Sequence, residues 1–430
     1  MPAGIRYKCG ELRRKAEELR GMRNMKRLHI VLIGLISLVM VFLCVVLGIS
    51  LTRERPTGEG YWNYKLVQEK KFQAEDIQRL KIDYGKGSTG STDVLFCQGT
   101  GEEVVVREYM NYEPKQSQLS AMGQSGGELT IKGSGQSWFS FFSIGFKGAY
   151  VEIYLPADFA ENMDALTIKT VSGEISSEIG LDIRENLALS TTSGDMRLPE
   201  VQAGKIQASS TSGEIRFDSA AAKDLDISTT SGDITVKQAR GSTKISSTSG
   251  EVRVSALEGP LRTSTTSGDI TLGQVTGSIT LSTTSGEIKL EEGLEDLDAE
   301  STSGDIRVGS LAGSFRMSTT SGELTVSRAG AFGTAHSVSG DIRIFLENLT
   351  GDLDISTTSG AVDLAFPETA DFRFRFSTTS GECGTFFDEA LSFDRKGRNA
   401  EGKLGAGTHS VKISTVSGDL DIREFQAGDL

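Results

Sequence analysis

The sequence predicts an all-β protein, a right-handed parallel β-helix (a β-solenoid) of about 18 residues per coil, preceded by one N-terminal transmembrane helix. Three observations predict this architecture: a Ser-Gly pair that recurs at a nearly constant spacing, apolar residues that alternate with polar ones around it, and an uncharged apolar run near the N-terminus. The composition agrees, because 50 glycines, 7 prolines and abundant Ser and Thr suit turns and strands better than helices.

The N-terminal region predicts a single membrane span at residues 29–51. From Ile30 to Leu51 the chain has 22 residues without a charge, and a helix needs about 20 to cross the hydrocarbon core. Nine Lys or Arg residues lie within the preceding segment, residues 1–28, which predicts a cytoplasmic N-terminus and an extracytoplasmic remainder. A cleaved signal peptide is the alternative, but its apolar core is usually shorter, about 7 to 15 residues.

Between the span and the repeats, residues 52–74 are expected to be a linker and residues 75–165 a β-rich cap. The cap section contains strand-like runs without the repeat marker, as expected of a segment that covers the open end of a solenoid. Within it, residues 137–146 include the aromatic run WFSFFSIGF. This run is either the core of the cap or an exposed patch that contacts lipid or a partner.

Residues 166–382 carry the regular repeat. The Gly of the Ser-Gly pair falls at positions 173, 194, 213, 232, 250, 268, 286, 304, 322, 340, 360 and 381, and once more at 418, with six consecutive intervals of 18 residues. Apolar residues stand two and four positions after most of these glycines, and commonly seven and five positions before them, so each unit holds two short strands with one apolar face. Units of this kind must stack to bury that face, and parallel crossovers are nearly always right-handed.

In such a stack, equivalent residues form columns along the solenoid. A Ser or Thr stands three positions before every Gly, where its hydroxyl can satisfy backbone groups at a corner. The Gly itself is expected to provide a positive φ or a close backbone approach. The structural turn residues predicted in this way are Gly232, Gly250, Gly268, Gly286, Gly304, Gly322 and Gly340.

An acidic residue follows the Gly in nearly every repeat, and Asp alternates with Glu. Duplication of a two-coil unit of about 36 residues explains the alternation, with the carboxylates in water and partly offset by basic residues two positions on. The alternative is a ladder of Ca²⁺ sites, because this ion prefers several oxygen ligands. Its candidate ligands are Asp233, Glu251, Asp269, Glu287, Asp305, Glu323 and Asp341.

The C-terminal section, residues 383–430, is expected to be an irregular loop followed by one terminal coil. The role of residues 383–412 is left open by the sequence. Cys97 and Cys383 should lie near opposite ends of the solenoid, so both are expected to be free thiols.

Composition and residue pairing exclude several classes of function. A net charge of −13 disfavours a nucleic-acid partner, whose affinity comes mostly from neutralised phosphates. Four widely separated cysteines encode neither a metal cluster nor a disulfide framework, and no cofactor motif is present. The three histidines, His29, His336 and His409, have no convincing partner for nucleophilic or acid-base work, so we expect a protein that is not an enzyme.

The combination of an apolar span, a lead-in that ends VEIYLP, tandem TTSGDI units and a closing GAGTHSVKISTVSGDLDI resembles the bacterial "putative adhesin" family. The members of that family are β-strand-repeat cell-surface domains of unknown function, and relatives occur in Gram-positive envelope-stress operons. The resemblance covers roughly residues 75–425 and implies a β-helix outside the membrane. It brings no catalytic residues.

We therefore expect a membrane-anchored extracytoplasmic protein that binds a cell-wall polymer or an envelope protein, or that serves as a scaffold at the cell envelope. An envelope-stress sensor or regulator is the first alternative, and a glycan-acting enzyme is the second. An outward Thr column two positions before the Gly offers a flat hydroxyl array that could contact glycan: Thr211, Thr230, Thr248, Thr266, Thr284, Thr302 and Thr320. The sequence does not predict the oligomeric state.

Overall fold

The structure, a computed structural model, describes residues 63–424 except 86–90, 135–147, 158, 160–162, 331, 388–389 and 395–397. The predicted membrane helix, the basic segment before it and the aromatic run lie outside the described residues. Within the described ranges, no helix has the length and apolar character needed to span a bilayer.

Strands account for nearly all regular structure in the described ranges, and the two helical segments there are single 3₁₀ turns, Ala74–Asp76 and Gln116–Gln118. The N-terminal section contains β1 (Lys65–Gln73), β2 (Arg79–Asp83), β3 (Ser91–Gln98), β4 (Glu103–Met110), β5 (Ala121–Ser125), β6 (Glu128–Lys132), β7 (Gly148–Leu155), β8 (Ala165–Lys169) and β9 (Ile175–Ser177).

The regular section begins with long strands that bend around a coil and continues with two short strands per coil. The long strands are β10 (Leu181–Ser190), β11 (Met196–Ser209), β12 (Ile215–Ser228) and β13 (Ile234–Ser246). The short strands are β14 (Val252–Glu258), β15 (Leu261–Ser264), β16 (Ile270–Val275), β17 (Ile279–Thr283), β18 (Ile288–Gly293), β19 (Leu297–Ser301), β20 (Ile306–Leu311), β21 (Phe315–Thr319), β22 (Leu324–Ala329), β23 (Gly333–Ser337), β24 (Ile342–Leu346), β25 (Leu353–Ser359) and β26 (Val362–Phe366).

The C-terminal section contains six more strands: β27 (Phe372–Ser377), β28 (Cys383–Thr385), β29 (Leu391–Phe393), β30 (Asn399–Leu404), β31 (His409–Ser417) and β32 (Leu420–Glu424).

Each strand of the regular section pairs in parallel with the equivalent strand one coil away. Ile270 pairs with Ile288, and Leu281 with Ala299, so the register shift between neighbouring coils is 18 residues. Earlier coils are one residue longer, because Met196 pairs with Ile215. The structure thus confirms a β-solenoid, with about eleven turns stacked in chain order from the corner at 173 to the corner at 360. The predicted right-handed sense of the coils stays a prediction.

The core is a continuous apolar column inside the coils. In the coil after residue 286, the side chains of Ile288, Leu290, Leu297 and Ala299 are all at most 2% exposed. These are the positions two and four after the Gly, and seven and five before the next one, as the alternation predicts. The Ser or Thr three positions before the Gly is a further inward position, and Ser301 is 9% exposed.

At the N-terminal end, the coils do not stack in chain order. The first coil, β2 with β3, lies between the third, β8 with β9, and the second, β6 with β7. Antiparallel strands then cover the outer layer: β5 pairs with β6, and β4 pairs with both β7 and β1. Residues 65–73, expected to be part of a linker, therefore form a strand of the cap.

The C-terminal end has the same reversed order. The last coil, β31 with β32, is inserted between β25 with β26 on one side and β27 with β28 on the other. The antiparallel strands β30 and β29 continue outward from β27. The section that the sequence describes as an irregular loop and terminal coil is thus a cap plus an intercalated coil, because the coil with its corner at Gly418 lies between the coils of Gly360 and Gly381.

Candidate binding surface

Nine consecutive corners, from the one at Gly194 to the one at Gly340, are held by a hydroxyl from inside the coil. The Oγ1 of Thr265 accepts a hydrogen bond from the backbone N–H of Gly268 at 2.7 Å, and the Oγ of Ser301 accepts one from Gly304 at 2.8 Å. The same bond recurs at further corners, so the Ser or Thr column mainly satisfies the backbone of its own corner. One described pair also bonds along the column, Thr170 to Thr191 at 3.0 Å.

The glycine at each corner is required by close approach between coils. A Cβ on Gly268 would lie 2.0 Å from the carbonyl oxygen of Gly250, and a Cβ on Gly304 would lie 1.8 Å from that of Gly286. The seven predicted turn glycines all lie at corners, and none of them has a positive φ. Of the two roles expected for this Gly, the close approach is therefore the one that the geometry supports.

The two residues between the buried hydroxyl and the Gly face solvent. Thr266 and Ser267 are exposed, and the same holds for the Thr and Ser of the neighbouring corners. Their backbones remain in the ladder, because the N–H of Ser285 donates to the carbonyl oxygen of Thr266 at 3.0 Å. Two parallel rows of hydroxyls, which we call the corner rows, thus run along the solenoid at a strand spacing of about 4.8 Å. Val171, Val338 and Val416 replace the Thr in three corners and are 36%, 38% and 49% exposed.

The acidic column next to the corner links consecutive coils. The Oδ1 of Asp269 accepts a hydrogen bond from the backbone N–H of Glu287 at 2.8 Å. Equivalent bonds join Asp233 to Glu251, Asp305 to Glu323 and Asp341 to Ala361, at 2.8 to 2.9 Å. The short Asp side chain therefore accepts a hydrogen bond from the backbone N–H of the equivalent residue in the next coil.

The glutamates of the column have a different role. Each of two glutamates forms an ion pair with an arginine of the next coil, which also binds the Asp two positions before it. Arg307 binds the carboxylates of Glu287 and Asp305, and Arg343 binds those of Glu323 and Asp341. These contacts give a physical reason for the alternation of Asp with Glu. In the part of the chain that the structure describes, no three His, Cys, Asp or Glu side chains are placed to hold a metal ion together, and the calcium ladder stays a sequence-based alternative.

A shallow groove of about 440 Å³ lies on the outer face of the strands that precede the corners. Its walls include Asp298, Arg316 and Thr334 from consecutive strands, together with Phe332 at the start of β23. The ring of Phe332 is 43% exposed, although most aromatic side chains of the solenoid point inward. The repeat pattern of the sequence does not reveal this groove, because the outward residues that form it differ from coil to coil.

The described histidines and cysteines do not form a catalytic arrangement. His336 is exposed, as its position in the repeat predicts, and its Nδ1 lies 2.8 Å from the Oγ of Ser356. Neither Cys97, which is buried, nor Cys383, which is half-buried, takes part in a disulfide, and the two lie on strands at opposite ends of the stack. Burial and the neighbouring carboxylates of Glu178 and Glu152 raise the pKa of the Cys97 thiol to about 12, which keeps it protonated and poorly nucleophilic.

The comparison with protein families decides the classification of this fold. The family model described as Toastrack DUF4097 matches residues 79–292 and, in a second match, residues 261–423. The chain belongs to the Toastrack DUF4097 family. The two matches together run from β2 to β32 and include both intercalated coils. Toastrack DUF4097 is a domain of unknown function, so membership classifies the chain and leaves its activity to be inferred.

Three solved structures share low sequence identity with this Toastrack chain. A "putative cell adhesion protein" from Clostridium sporogenes is 10% identical and covers 83% of this chain and 99% of its own, with a TM-score of 0.16. A "putative adhesin" from Parabacteroides merdae is 13% identical (69% and 95% covered, TM-score 0.27), and one from Parabacteroides distasonis is 14% identical (81% and 97%, TM-score 0.21). A comparison with curated proteins finds no match.

Proposed function

We propose that this Toastrack protein is a membrane-anchored, extracytoplasmic, non-catalytic scaffold that binds a glycan polymer of the cell envelope along its corner rows. The observation that carries the proposal is the continuity of these rows: exposed Thr and Ser hydroxyls repeat at a fixed spacing over consecutive coils. A polymer with hydroxyl or amide groups can form many hydrogen bonds along such a surface. Affinity then accumulates from repeated weak contacts.

The rigidity of the corners favours binding over catalysis. Each corner is tied to the next through its backbone and to its own interior hydroxyl, so the hydroxyl rows are preorganised and lose little freedom when a ligand binds. A uniform array also lacks the pair of groups with separated pKa values that acid-base chemistry needs.

Binding to purified cell wall tests the proposal, and the chain itself suggests the variant. Because Val occupies the outward Thr position in three natural corners, a triple variant with Thr266→Val, Thr284→Val and Thr302→Val should fold normally while it loses three hydroxyls. We expect the wild-type chain to sediment with cell wall and the triple variant to bind at least about tenfold more weakly, a loss of about 1.4 kcal/mol.

The matched control replaces the same three residues by Ser, which keeps the hydroxyls and should keep the binding. Equal binding by the Val and Ser variants would rule out the corner rows as the binding surface, and no sedimentation of the wild-type chain would rule out wall binding.

The anchoring part of the proposal predicts that the full-length chain fractionates with membranes and that deletion of residues 29–51 releases it.

A further inference from the structure

The outer face of the strands around β23 is not covered by any other element in the described part of the chain. In space the strands run in the order β17, β19, β21, β23, β25, β31 and β27. Each presents three outward positions, and on the coil of β23 these are Phe332, Thr334 and His336, all exposed. We call the outward side of these seven strands the β23 face.

We propose that the β23 face is an interface between two copies of this chain, packed face to face and antiparallel about a two-fold axis that runs along β23. In this arrangement each side chain of β23 meets its own counterpart. Strands that lie equally far above and below β23 meet each other, so that β21 faces β25 of the second copy and β19 faces β31. This self-association goes beyond wall binding and uses a different surface.

The charges on the β23 face are complementary under this symmetry. The middle outward column reads Asp298, Arg316, Thr334, Asp354 and Lys412 on consecutive strands. Arg316 on β21 and Asp354 on β25, the two strands next to β23, have opposite charges. Asp298 on β19 and Lys412 on β31, one strand further out on each side, also have opposite charges. A two-fold interface repeats each contact, so two Arg–Asp pairs and two Asp–Lys pairs form at once.

Two of these charges have no partner among the other described residues. Asp298 and Arg316 are neighbours across the ladder but make neither an ion pair nor a hydrogen bond there, and Arg316 is likewise not paired with any other described carboxylate. Asp354 approaches Lys412 at 3.6 Å through exposed side chains, a contact that contributes little in a monomer. The column therefore carries charge that is available to a second copy.

An exposed aromatic ring, that of Phe332, lies on the two-fold axis just before β23 begins. The two-fold axis brings Phe332 close to Phe332 of the second copy, which would bury two rings that are each 43% exposed. Gly351 leaves room for this ring, since a Cβ at that position would lie 2.5 Å from it. Paired aromatic side chains that become buried next to charged pairs add stability to an interface.

The size of the face predicts a reversible dimer. Seven strands with six spacings of about 4.8 Å between them, and about five residues of about 3.3 Å each, give a flat area of about 480 Å² per copy. Side-chain relief increases this area, so the total approaches the roughly 1,000 Å² of a specific contact and stays below the roughly 2,000 Å² at which obligate dimers begin.

A charge-reversal cycle on the full-length chain in detergent tests this interface by analytical ultracentrifugation. We expect a wild-type dimer at low salt. Arg316→Asp alone, or Asp354→Arg alone, should weaken the dimer at least about tenfold, because each change places like charges opposite each other twice. The double variant should restore it. Arg240→Asp, which reverses a charge in the exposed pair with Glu258 elsewhere on the solenoid, is the matched control and should have no effect.

Each outcome decides the proposal. A monomeric wild-type chain at about 100 μM, a dimer that tolerates both single reversals, or single losses that the double variant does not restore would each overturn it. Circular dichroism melts check that every variant is folded. If a reversal prevents folding, Phe332→Ser provides an independent test, because removal of an exposed ring should weaken the dimer and leave the fold intact.

Discussion

Each corner of the solenoid combines a buried hydroxyl with a glycine three positions later. The hydroxyl satisfies the backbone N–H that the sharp bend would otherwise leave unpaired, and the missing Cβ lets the coil above approach the carbonyl oxygen of the coil below. Because the two residues serve the same bend, the repeat conserves both within this one chain. The Thr and Ser between them stay exposed, which is why the same phrase both folds the chain and forms its surface.

Substitution by Ala is expected to lower the free energy of unfolding by different amounts at two glycines of the solenoid, Gly304 and Gly330. In Gly304→Ala the new Cβ would lie 1.8 Å from the carbonyl oxygen of Gly286, whereas in Gly330→Ala its nearest contact is an ordinary 3.5 Å. We expect Gly304→Ala to lower the free energy of unfolding by about 3 kcal/mol and Gly330→Ala to change it by less than about 0.5 kcal/mol. Urea unfolding followed by circular dichroism measures both, and similar values for the two variants would contradict the close-approach account.

Glu108 is a buried carboxyl in the N-terminal cap. It is 1% exposed and accepts hydrogen bonds from the backbone N–H of Ser120 at 3.0 Å and from its Oγ at 2.5 Å. Burial raises the pKa of the Glu108 carboxyl, and the two Ser120 bonds oppose this rise. The titratable groups that face it are the hydroxyls of Tyr84 and Tyr112, whose pKa values are raised by burial and by Glu108 itself.

This environment predicts a pH-dependent stability of the cap. Since the folded-state pKa lies above the unfolded one, the folded state holds the proton more tightly, and the stability present below about pH 4.3 is lost as the pH rises through the folded pKa. Glu108→Gln keeps an acceptor for Ser120 and removes the titration. We expect the variant to melt higher than wild type at pH 8 and equally at pH 4. A constant difference across that pH range would contradict this assignment.

The residue-scale predictions from the sequence hold where the repeat itself carries the information. Alternation gave the inward positions, and the corner glycines and hydroxyls follow from their spacing. The reason for Asp alternating with Glu could not be predicted, because it depends on the direction of the backbone N–H next to each corner, which spacing alone does not reveal. The Phe332 groove was missed because it breaks the repeat rather than following it.

At the scale of elements, the strands were predictable and their order at the two ends was not. Equivalent coils have nearly interchangeable sequences, so the repeat does not say which coil is the neighbour of which. At the C-terminal end, β30 covers the outer edge of β27 as an antiparallel partner, and the last coil therefore enters the stack on the inner side of β27. The same logic holds at the other end, where β5 and β4 cover the outer layer. Covered ends also protect the ladder from edge-to-edge aggregation.

Engineered disulfides test the intercalated order. Ser414 pairs across the ladder with Ser356 on one side and with Ser377 on the other. Cysteine pairs at 356 and 414, or at 377 and 414, are expected to oxidise readily, because adjacent strands lie within the Cα separation of about 4.4 to 6.8 Å that a disulfide needs. A pair at 356 and 377 would span about 9.6 Å and should not form. Peptide mass spectrometry identifies the bridges, and efficient formation of only the last pair would show stacking in chain order.

At the scale of the whole molecule, one architecture carries two surfaces. The stacked coils form a rigid rod with covered ends, the corner rows present hydroxyls along it, and the β23 face presents a self-complementary set of charges around an exposed aromatic ring. The sequence predicted the rod and the hydroxyl column. The β23 face needed the structure, because it combines β31 with strands that lie far from it in the chain.

The central claim is that each coil adds one identical layer, and an in-register deletion tests it most directly. Removal of residues 269–304 from the unit Tyr64–Leu430 joins Gly268 to Asp305, deletes two coils and restores the phrase Ser-Gly-Asp. Small-angle scattering at a concentration where the chain is monomeric should show the same cross-section and a maximum dimension shorter by about 10 Å. Deletion of residues 269–295, which leaves half a coil, should instead disrupt the fold. An unchanged length after the two-coil deletion, or a loss of β-structure equal to that of the out-of-register control, would contradict the account.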